Sequence, residues 1–266
     1  MLKEYYGFKK TPFNKYIPTS KLFLAESQEE TLMRLNYVVN NKLFAIVTGE
    51  CGTGKTTVLR KLKASLDGKK YDFLYVTDSK LTPRHFYNAL LNQLGREGAF
   101  YRGDCRRKLH HEIELINGIR HRDLVIVVDE AHLLSQEMLE ELRFLLNFRM
   151  DSVNPLSLIL SGQSELEINL CKRVSAAISQ RIDFRCRLLP MTPEETKAYI
   201  NHHITIAGGK DPIFTDSAIN EIYAYSAGTA RVVCKLCYSC LMYGATKNIK
   251  IIEVSMVKDI IEVEYK

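Results

Sequence analysis

No apolar run in this 266-residue chain approaches the roughly 18 residues that a membrane-spanning helix needs. The opening residues, MLKEYYGFKKTPF, also lack the apolar core of a secretory signal. The expected location is therefore the cytoplasm, with no membrane as partner. Repeats and low-complexity segments are missing too, and so is the N-K-x-D signature of guanine selection. Cysteine is sparse and odd in number at seven, which suits a reducing compartment better than a disulfide scaffold. The net charge of +6 is a modest surplus, below that of a nucleic-acid coat protein. It fits either a basic solvated surface or a local patch for phosphates. What is present in quantity is core-forming material: 46% apolar residues, beside 26% charged. The length fits one large domain, or a medium domain followed by a small one.

Five short apolar runs punctuate the first 190 residues: LFAIVTG (43–49), DFLYVTD (72–78), LVIVVDE (124–130), LSLILSG (156–162) and IDFRCRL (182–188). The first four are almost continuously apolar, the pattern of strands covered on both faces. Helical patterns separate them, in TTVLRKLKASL, PRHFYNALLNQL, RRKLHHEIELINGI and QEMLEELRFLLNF. The alternation predicts an α/β fold with a parallel sheet and right-handed crossovers. After Leu189 the pattern turns wholly helical. MTPEETKAYINHHITIAG carries a capping box, with Thr192 as N-cap, Pro193 at N1 and Glu195 at N3, and ends at Gly208-Gly209. TDSAINEIYAYSAG repeats this with Thr215 or Asp216 as cap and Gly228 beyond its end, and two further helices follow. The expected organisation is an N-terminal segment (1–40) packing on the core, a sheet domain (41–189) and a helical domain (190–266).

The stretch TGECGTGKTT (48–57) matches G-x-x-x-x-G-K-[ST] between a strand and a helix. Gly49, Gly52 and Gly54 allow backbone that aims N–H groups inward at phosphate, with Glu50, Cys51 and Thr53 completing the loop. A helix N-terminus adds its dipole. Lys55 brings a cation to the β- and γ-phosphates, and Thr56 offers a hydroxyl to Mg²⁺, with Thr57 following. In LVIVVDEAH, Asp129 stands at the end of a buried strand, placed to hold Mg²⁺ through water, and Glu130 is placed to deprotonate the attacking water. Two adjacent carboxylates after five apolar residues would be costly unless they served a site. The letters DEAH are those of a helicase class, but such helicases use two sheet domains, so His132 reads as a local hydrogen-bonding residue. LSLILSGQSEL ends a strand in polar residues; Gln163, then Ser161, is the candidate γ-phosphate sensor, against an ordinary polar loop.

With these pieces in place the chain resembles the AAA+ ATPases, and within them the ExeA-like group that includes transposon ATPases of the TnsC kind. The resemblance runs through YYGFKKTPF, the two Walker motifs, GQSEL, QRIDFRCRLLPMTPEETKAYI and GTAR. It implies a three-layer αβα P-loop NTPase with a five-stranded parallel sheet and a small all-helical lid, using ATP and Mg²⁺. It further implies that Arg181 is an arginine finger acting on a neighbouring subunit, with Arg185 and Arg187 as competitors, and that Arg231 is a lid residue reaching the phosphates. A finger used in trans implies a homo-oligomer, either ring or helical filament. Secretion-associated ExeA proteins continue into a membrane segment and a peptidoglycan-binding region, whereas this chain reaches Lys266 directly after the lid. The expectation is thus a regulator of transposition that assembles on duplex DNA and recruits a transposase or target-selection protein. The alternative is a secretion-assembly ATPase acting at the envelope without DNA. A third reading, a nucleotide-gated scaffold without turnover, is disfavoured by Glu130.

GREGAFYRGDCRRKLHHEIEL (95–115) is the basic stretch best suited to DNA: Arg96, Arg102, Arg106, Arg107 and Lys108 surround Phe100 and Tyr101. Asp104, Glu112 and Glu114 offset those cations, so an exposed helix start explains them as well, and the resemblance tips the balance. Contacts of this kind would be sequence-independent. In CKLCYSC, Cys234, Cys237 and Cys240 share a helix face with apolar neighbours and read as buried thiols rather than a zinc site.

Overall fold

The computed structural model describes residues 1–14, 16–78, 82–148, 153–209 and 211–264, and their contacts form two compact units. One comprises Glu26–Cys51 and Lys55–Leu188; the other comprises Met1–Ala25, Gly52–Gly54 and Leu189–Lys266.

The first unit is built on strands β1 (Phe44–Thr48), β2 (Tyr71–Val76), β3 (Asp123–Val128), β4 (Leu156–Gly162) and β5 (Phe184–Arg187). All pair in parallel, in the order β2-β3-β4-β1-β5. Helices numbered in chain order cover both faces: α2 (Glu26–Asn40), α3 (Lys55–Ser65), α4 (Pro83–Gln93), α5 (Arg102–Gly118), α6 (Gln136–Leu145), α7 (Ser164–Cys171) and the short α8 (Ala176–Ser179).

Successive strand residues point to opposite faces, and here both faces are buried. Phe44, Ile46, Leu124, Ile126, Leu158 and Leu160 join Phe86, Leu109, Ile113 and Leu142 of α4, α5 and α6 in one cluster. The alternate residues Ala45, Val47, Val125, Val127 and Ile159 join Leu35 and Val38 of α2 and Val58 and Leu62 of α3 in another. That double burial is why the strands read as unbroken apolar runs, and it gives the three αβα layers. Local chemistry starts the helices where expected. The Thr82 side chain caps α4 ahead of Pro83, and the Ser135 hydroxyl accepts the Met138 N–H at 3.2 Å to cap α6.

The second unit contains α1 (Leu2–Tyr6), α9 (Pro193–Ala207), α10 (Asp216–Ser226), α11 (Ala230–Lys247) and α12 (Val254–Glu264). The capping box of α9 forms as its sequence dictates. The Glu195 N–H donates to Thr192 Oγ1 at 3.2 Å, and the Thr192 N–H donates to Glu195 Oε2 at 2.8 Å. At α10 the cap is Thr215, whose hydroxyl accepts the Ala218 N–H at 3.2 Å. The N-terminal stretch 1–40 is divided between the units. Its first 13 residues, MLKEYYGFKKTPF, bury Leu2, Phe8 and Phe13 among Ile200, Ile204, Leu236 and Leu241, while α2 serves the sheet. Cys237 and Cys240 are buried in the same cluster, and the Cys234 sulfur lies 2.9 Å from the Tyr199 hydroxyl. Burial pushes the Cys240 thiol up to about 12. Among the described residues no group of His, Cys, Asp and Glu is arranged to hold a metal.

His203 of α9 gives this unit a pH dependence. Its ring stacks on Phe13 with centroids 5.0 Å apart, it is 4% exposed, and its Nδ1 has no hydrogen-bond partner. Burial, with His202 nearby, lowers its pKa from 6.5 to about 4. The folded state therefore holds the neutral ring. Its contribution is complete above pH 6.5 and is lost as pH falls from there towards 4, by up to about 3 kcal/mol. Urea melts across that window should show the decline, and His203→Phe should flatten it; an unchanged acid limb would assign the loss to other groups.

Candidate nucleotide-hydrolysis site

β1 ends at Thr48 and α3 begins at Lys55, so the loop 49–54 joins a fully buried strand to a helix N-terminus, where backbone N–H groups are unpaired by the helix. Gly52 and Gly54 take φ of 89° and 96°, a region that only glycine enters cheaply. Lys55 is buried, and its ammonium donates to the carbonyls of Gly49 at 2.6 Å and Glu50 at 3.0 Å. Burial lowers its pKa, against the opposing pull of Glu130, Cys51, Asp129 and Glu50. Thr53 is buried, Thr57 half-buried, and Cys51 and Thr56 are exposed. The Glu50 carboxylate accepts the Ser164 hydroxyl at 2.6 Å, tying the loop to the start of α7.

Asp129, 5% exposed, follows the last residue of β3. Its Oδ2 accepts from Tyr75 Oη at 2.6 Å and Thr56 Oγ1 at 3.3 Å; its Oδ1 accepts from Ser161 Oγ at 2.8 Å and the Glu130 N–H at 3.0 Å. These four donors compensate a carboxylate taken out of water. The strand order supplies two of them. β3 lies between β2 and β4, so Tyr75 and Ser161, near the carboxyl ends of their strands, flank Asp129. Burial, then the hydrogen bond to Asp129, raises the Tyr75 pKa well above 10, keeping the phenol a donor. Tyr75 has no counterpart in the motifs. A polar-tipped aromatic at register with Val127 of a buried strand is the signal that marks it.

Glu130 has φ 52° and ψ 32°, the left-handed region, which costs a residue with a side chain about 1–3 kcal/mol. The backbone reversal turns its carboxylate outward, half-exposed, beside the buried Asp129. A turn of 3₁₀ helix, Ala131–Leu133, follows and brings back His132. The His132 Nδ1 lies 3.5 Å from Glu130 Oε2, and its Nε2 lies 3.2 Å from the Gln163 amide nitrogen. The two sensor candidates thus have different surroundings. Ser161 is buried against Asp129, while Gln163 is half-buried at the N-cap of α7 and faces His132.

Arg181 sits on the turn between α8 and β5, its N–H donating to the Ile178 carbonyl at 3.0 Å. Arg185 donates to the Ser179 hydroxyl at 2.8 Å, and Arg187 is exposed on β5. Arg231 lies in the first turn of α11, in the unit that includes Gly52–Gly54, where a Cβ on Gly52 would meet the Arg231 Cβ at 2.8 Å. The arginines of α5, and Arg96 in the loop before it, are ion-paired. Arg102 reaches Glu137 at 2.8 Å, Arg106 lies 3.7 Å from Glu141, Arg107 pairs with Asp104, and Arg96 reaches Glu112 at 2.9 Å. Two of these acids come from α6, distant in sequence. Glu141 is buried and also accepts the Tyr87 hydroxyl at 2.7 Å.

A family model described as an AAA domain matches residues 39–170. Over 242 residues the chain is 31% identical to General secretion pathway protein A of Aeromonas hydrophila, a match covering 89% of this chain and 44% of that protein. The chain therefore spans less than half of that curated relative. Among solved structures, Cdc6p from Pyrobaculum aerophilum superposes with a TM-score of 0.69 at 18% identity, covering 90% of this chain and 67% of that one. The ORC1 protein of Aeropyrum pernix in complex with DNA gives 0.67 at 20% identity over 92% and 66% of the two chains. The RuvB Holliday junction branch migration motor of Thermotoga maritima gives 0.60 at 18% over 89% and 69%. At these identities the structural likeness speaks for the fold alone. With the AAA-domain match and the homology to General secretion pathway protein A, the P-loop on its five-stranded parallel sheet supports an AAA+ ATPase.

Proposed function

We propose that the chain is a Mg²⁺-dependent ATPase that assembles with further copies on duplex DNA and, in that state, engages a transposase or target-selection protein. The observation that carries the catalytic part is the Asp129 cluster. One buried carboxylate is held by Thr56 of the phosphate loop and stands next to an exposed, backbone-strained Glu130. Thr56 and Asp129 offer the oxygen donors a hard cation takes, and bound Mg²⁺ would supply charge neutralisation at the β- and γ-phosphates. Lys55 exchanges its carbonyl partners for phosphate oxygens, and the loop N–H groups bind the remaining charge. Glu130 takes the proton of a water whose oxygen attacks Pγ, and ADP leaves with the bridging oxygen. Arg181 of a neighbouring copy would stabilise the charge that develops on the transferred group, and Arg231 would meet the phosphates from the helical unit.

The DNA part is carried by exposed residues at the start of α5 and in the loop before it. Arg107 is 80% exposed, and Phe100 and Tyr101 stand exposed beside the arginines of α5. Arg102 and Arg106 are also tied to Glu137 and Glu141, so reversing their charge would disturb α6 as well. Arg107→Glu is the cleaner probe, because its partner is a surface acid on the same helix. Fluorescence anisotropy with random-sequence duplex should show ATP-dependent binding that falls steeply between about 50 and 200 mM salt. Arg107→Glu should weaken binding and flatten the salt slope by about one unit while sparing basal ATPase. Absence of binding at low salt would discard the DNA reading. It would leave an envelope-associated secretion ATPase, the reading favoured by the 31% identity to General secretion pathway protein A.

A further inference from the structure

His132 lies outside every step described so far, yet its ring is the link between two residues of the site. Its Nδ1 stands 3.5 Å from the Glu130 carboxylate, and its Nε2 stands 3.2 Å from the side-chain amide of Gln163. The Gln163 backbone nitrogen also lies near the ring, 3.4 Å from Nδ1. The turn that carries the ring is held from behind, since the Asn169 side chain donates to the His132 backbone carbonyl at 3.4 Å, and the His132 side chain is only 11% exposed. Gly162 makes this placement possible. A Cβ there would lie 3.0 Å from the His132 backbone nitrogen and 3.2 Å from the Leu166 Cβ, so a side chain at this position would require the turn carrying His132 to shift by a few tenths of an ångström.

We propose that His132 is a positioning residue that couples Gln163 to the general base. Glu130 is half-exposed on a left-handed residue, so its backbone leaves the carboxylate free to turn towards solvent. The imidazole fixes it on one side and takes its own orientation from Gln163 on the other. With its proton on Nδ1 the neutral ring donates towards the Glu130 carboxylate, and its Nε2 accepts an N–H of the Gln163 side-chain amide as that amide stands. A displacement of Gln163 by a ligand therefore moves the ring, and the ring moves the base. Thr56 and Asp129 have no part in this chain of contacts, so nucleotide binding and base alignment are separable.

The inference rests on the ATPase reading, and its test keeps the two apart. Full-length wild type, His132→Ala, His132→Asn, Gln163→Ala and the His132→Ala/Gln163→Ala double variant are compared for binding of a fluorescent ATP analogue and for single-turnover phosphate release with Mg²⁺. His132→Ala should lower kcat on the order of 10²-fold while nucleotide affinity stays within about two-fold. Asn, which keeps a nitrogen near Nδ1, should recover most of the loss. The double variant should be no slower than the worse single variant within about three-fold, because both act through one chain of contacts. Unchanged kcat in His132→Ala, multiplicative losses in the double variant, or equal losses of binding and turnover would each overturn the coupling. A wild type that binds nucleotide without releasing phosphate would overturn the ATPase reading itself, and the coupling with it.

Discussion

A Glu130→Gln chain should bind MgATP with near wild-type affinity and hydrolyse it about 10³-fold more slowly. The amide keeps the size of the side chain, and Gln suffers the same left-handed backbone as Glu, so the 52° φ costs both residues alike. What disappears is the group that accepts the proton of the attacking water. Asp129 is unaffected, because it takes the Glu130 backbone N–H and not its side chain. Single-turnover phosphate release, with nucleotide affinity measured in parallel, separates the two effects. If binding fell as far as turnover, Glu130 would be a binding group and the proposed mechanism would need another base. In the proposed DNA-bound assembly, this variant should also persist on duplex after ATP is supplied, because the step that ends the ATP state is blocked.

Arg181→Ala should cost roughly 10³–10⁵ in kcat, the range over which arginine fingers act in P-loop NTPases, with ATP binding retained. Its place on the turn before the edge strand β5 puts it among residues that border the sheet, not among those that hold Asp129. Mixing supplies the decisive measurement. Arg181→Ala and Glu130→Gln should each be strongly impaired alone, but a mixture should regain activity. An interface that takes Glu130 from the first and Arg181 from the second is complete. Complete silence of the mixture, with both variants shown to co-assemble, would restrict Arg181 to its own subunit or to the fold. Restored turnover with Arg185→Ala in place of Arg181→Ala would move the finger to Arg185.

The sheet and the motif residues were legible because burial on both faces leaves unbroken apolar runs, and because phosphate binding fixes glycines and a lysine at set spacing. The helix starts at Thr192 and Thr215 follow from side-chain oxygens that accept one turn on, a rule confined to four residues. Contacts assembled across the sheet were not legible. Tyr75 and Ser161 reach Asp129 because β2 and β4 flank β3, and strand order cannot be read from spacing. The pairing of α5 arginines with Glu137 and Glu141 was hidden for the same reason, since the expected partners lay on their own helix. His132 was read as a local hydrogen-bonding residue; its bridge to Gln163 needs the close approach that Gly162 permits. The aromatic cluster near the N-terminus was read as packing on the sheet, while Phe8 and Phe13 are buried with α9 and α11.

The sheet order also sets a timetable for synthesis. β1, which carries the phosphate loop, pairs with β4 and β5, so its FAIVT segment leaves the ribosome more than a hundred residues ahead of either partner. At about 5–20 residues per second, that strand waits for several seconds or longer with its edges unpaired. The residues most completely buried in the finished molecule are therefore among the longest exposed during its manufacture. β2 and β3 can pair in the meantime, but the loop and the Asp129 cluster come together only once β4 has bridged them. Under the proposed function nucleotide would stabilise only the finished sheet, whereas α2 and α3, which pack on β1 in the fold, are its nearest neighbours in sequence.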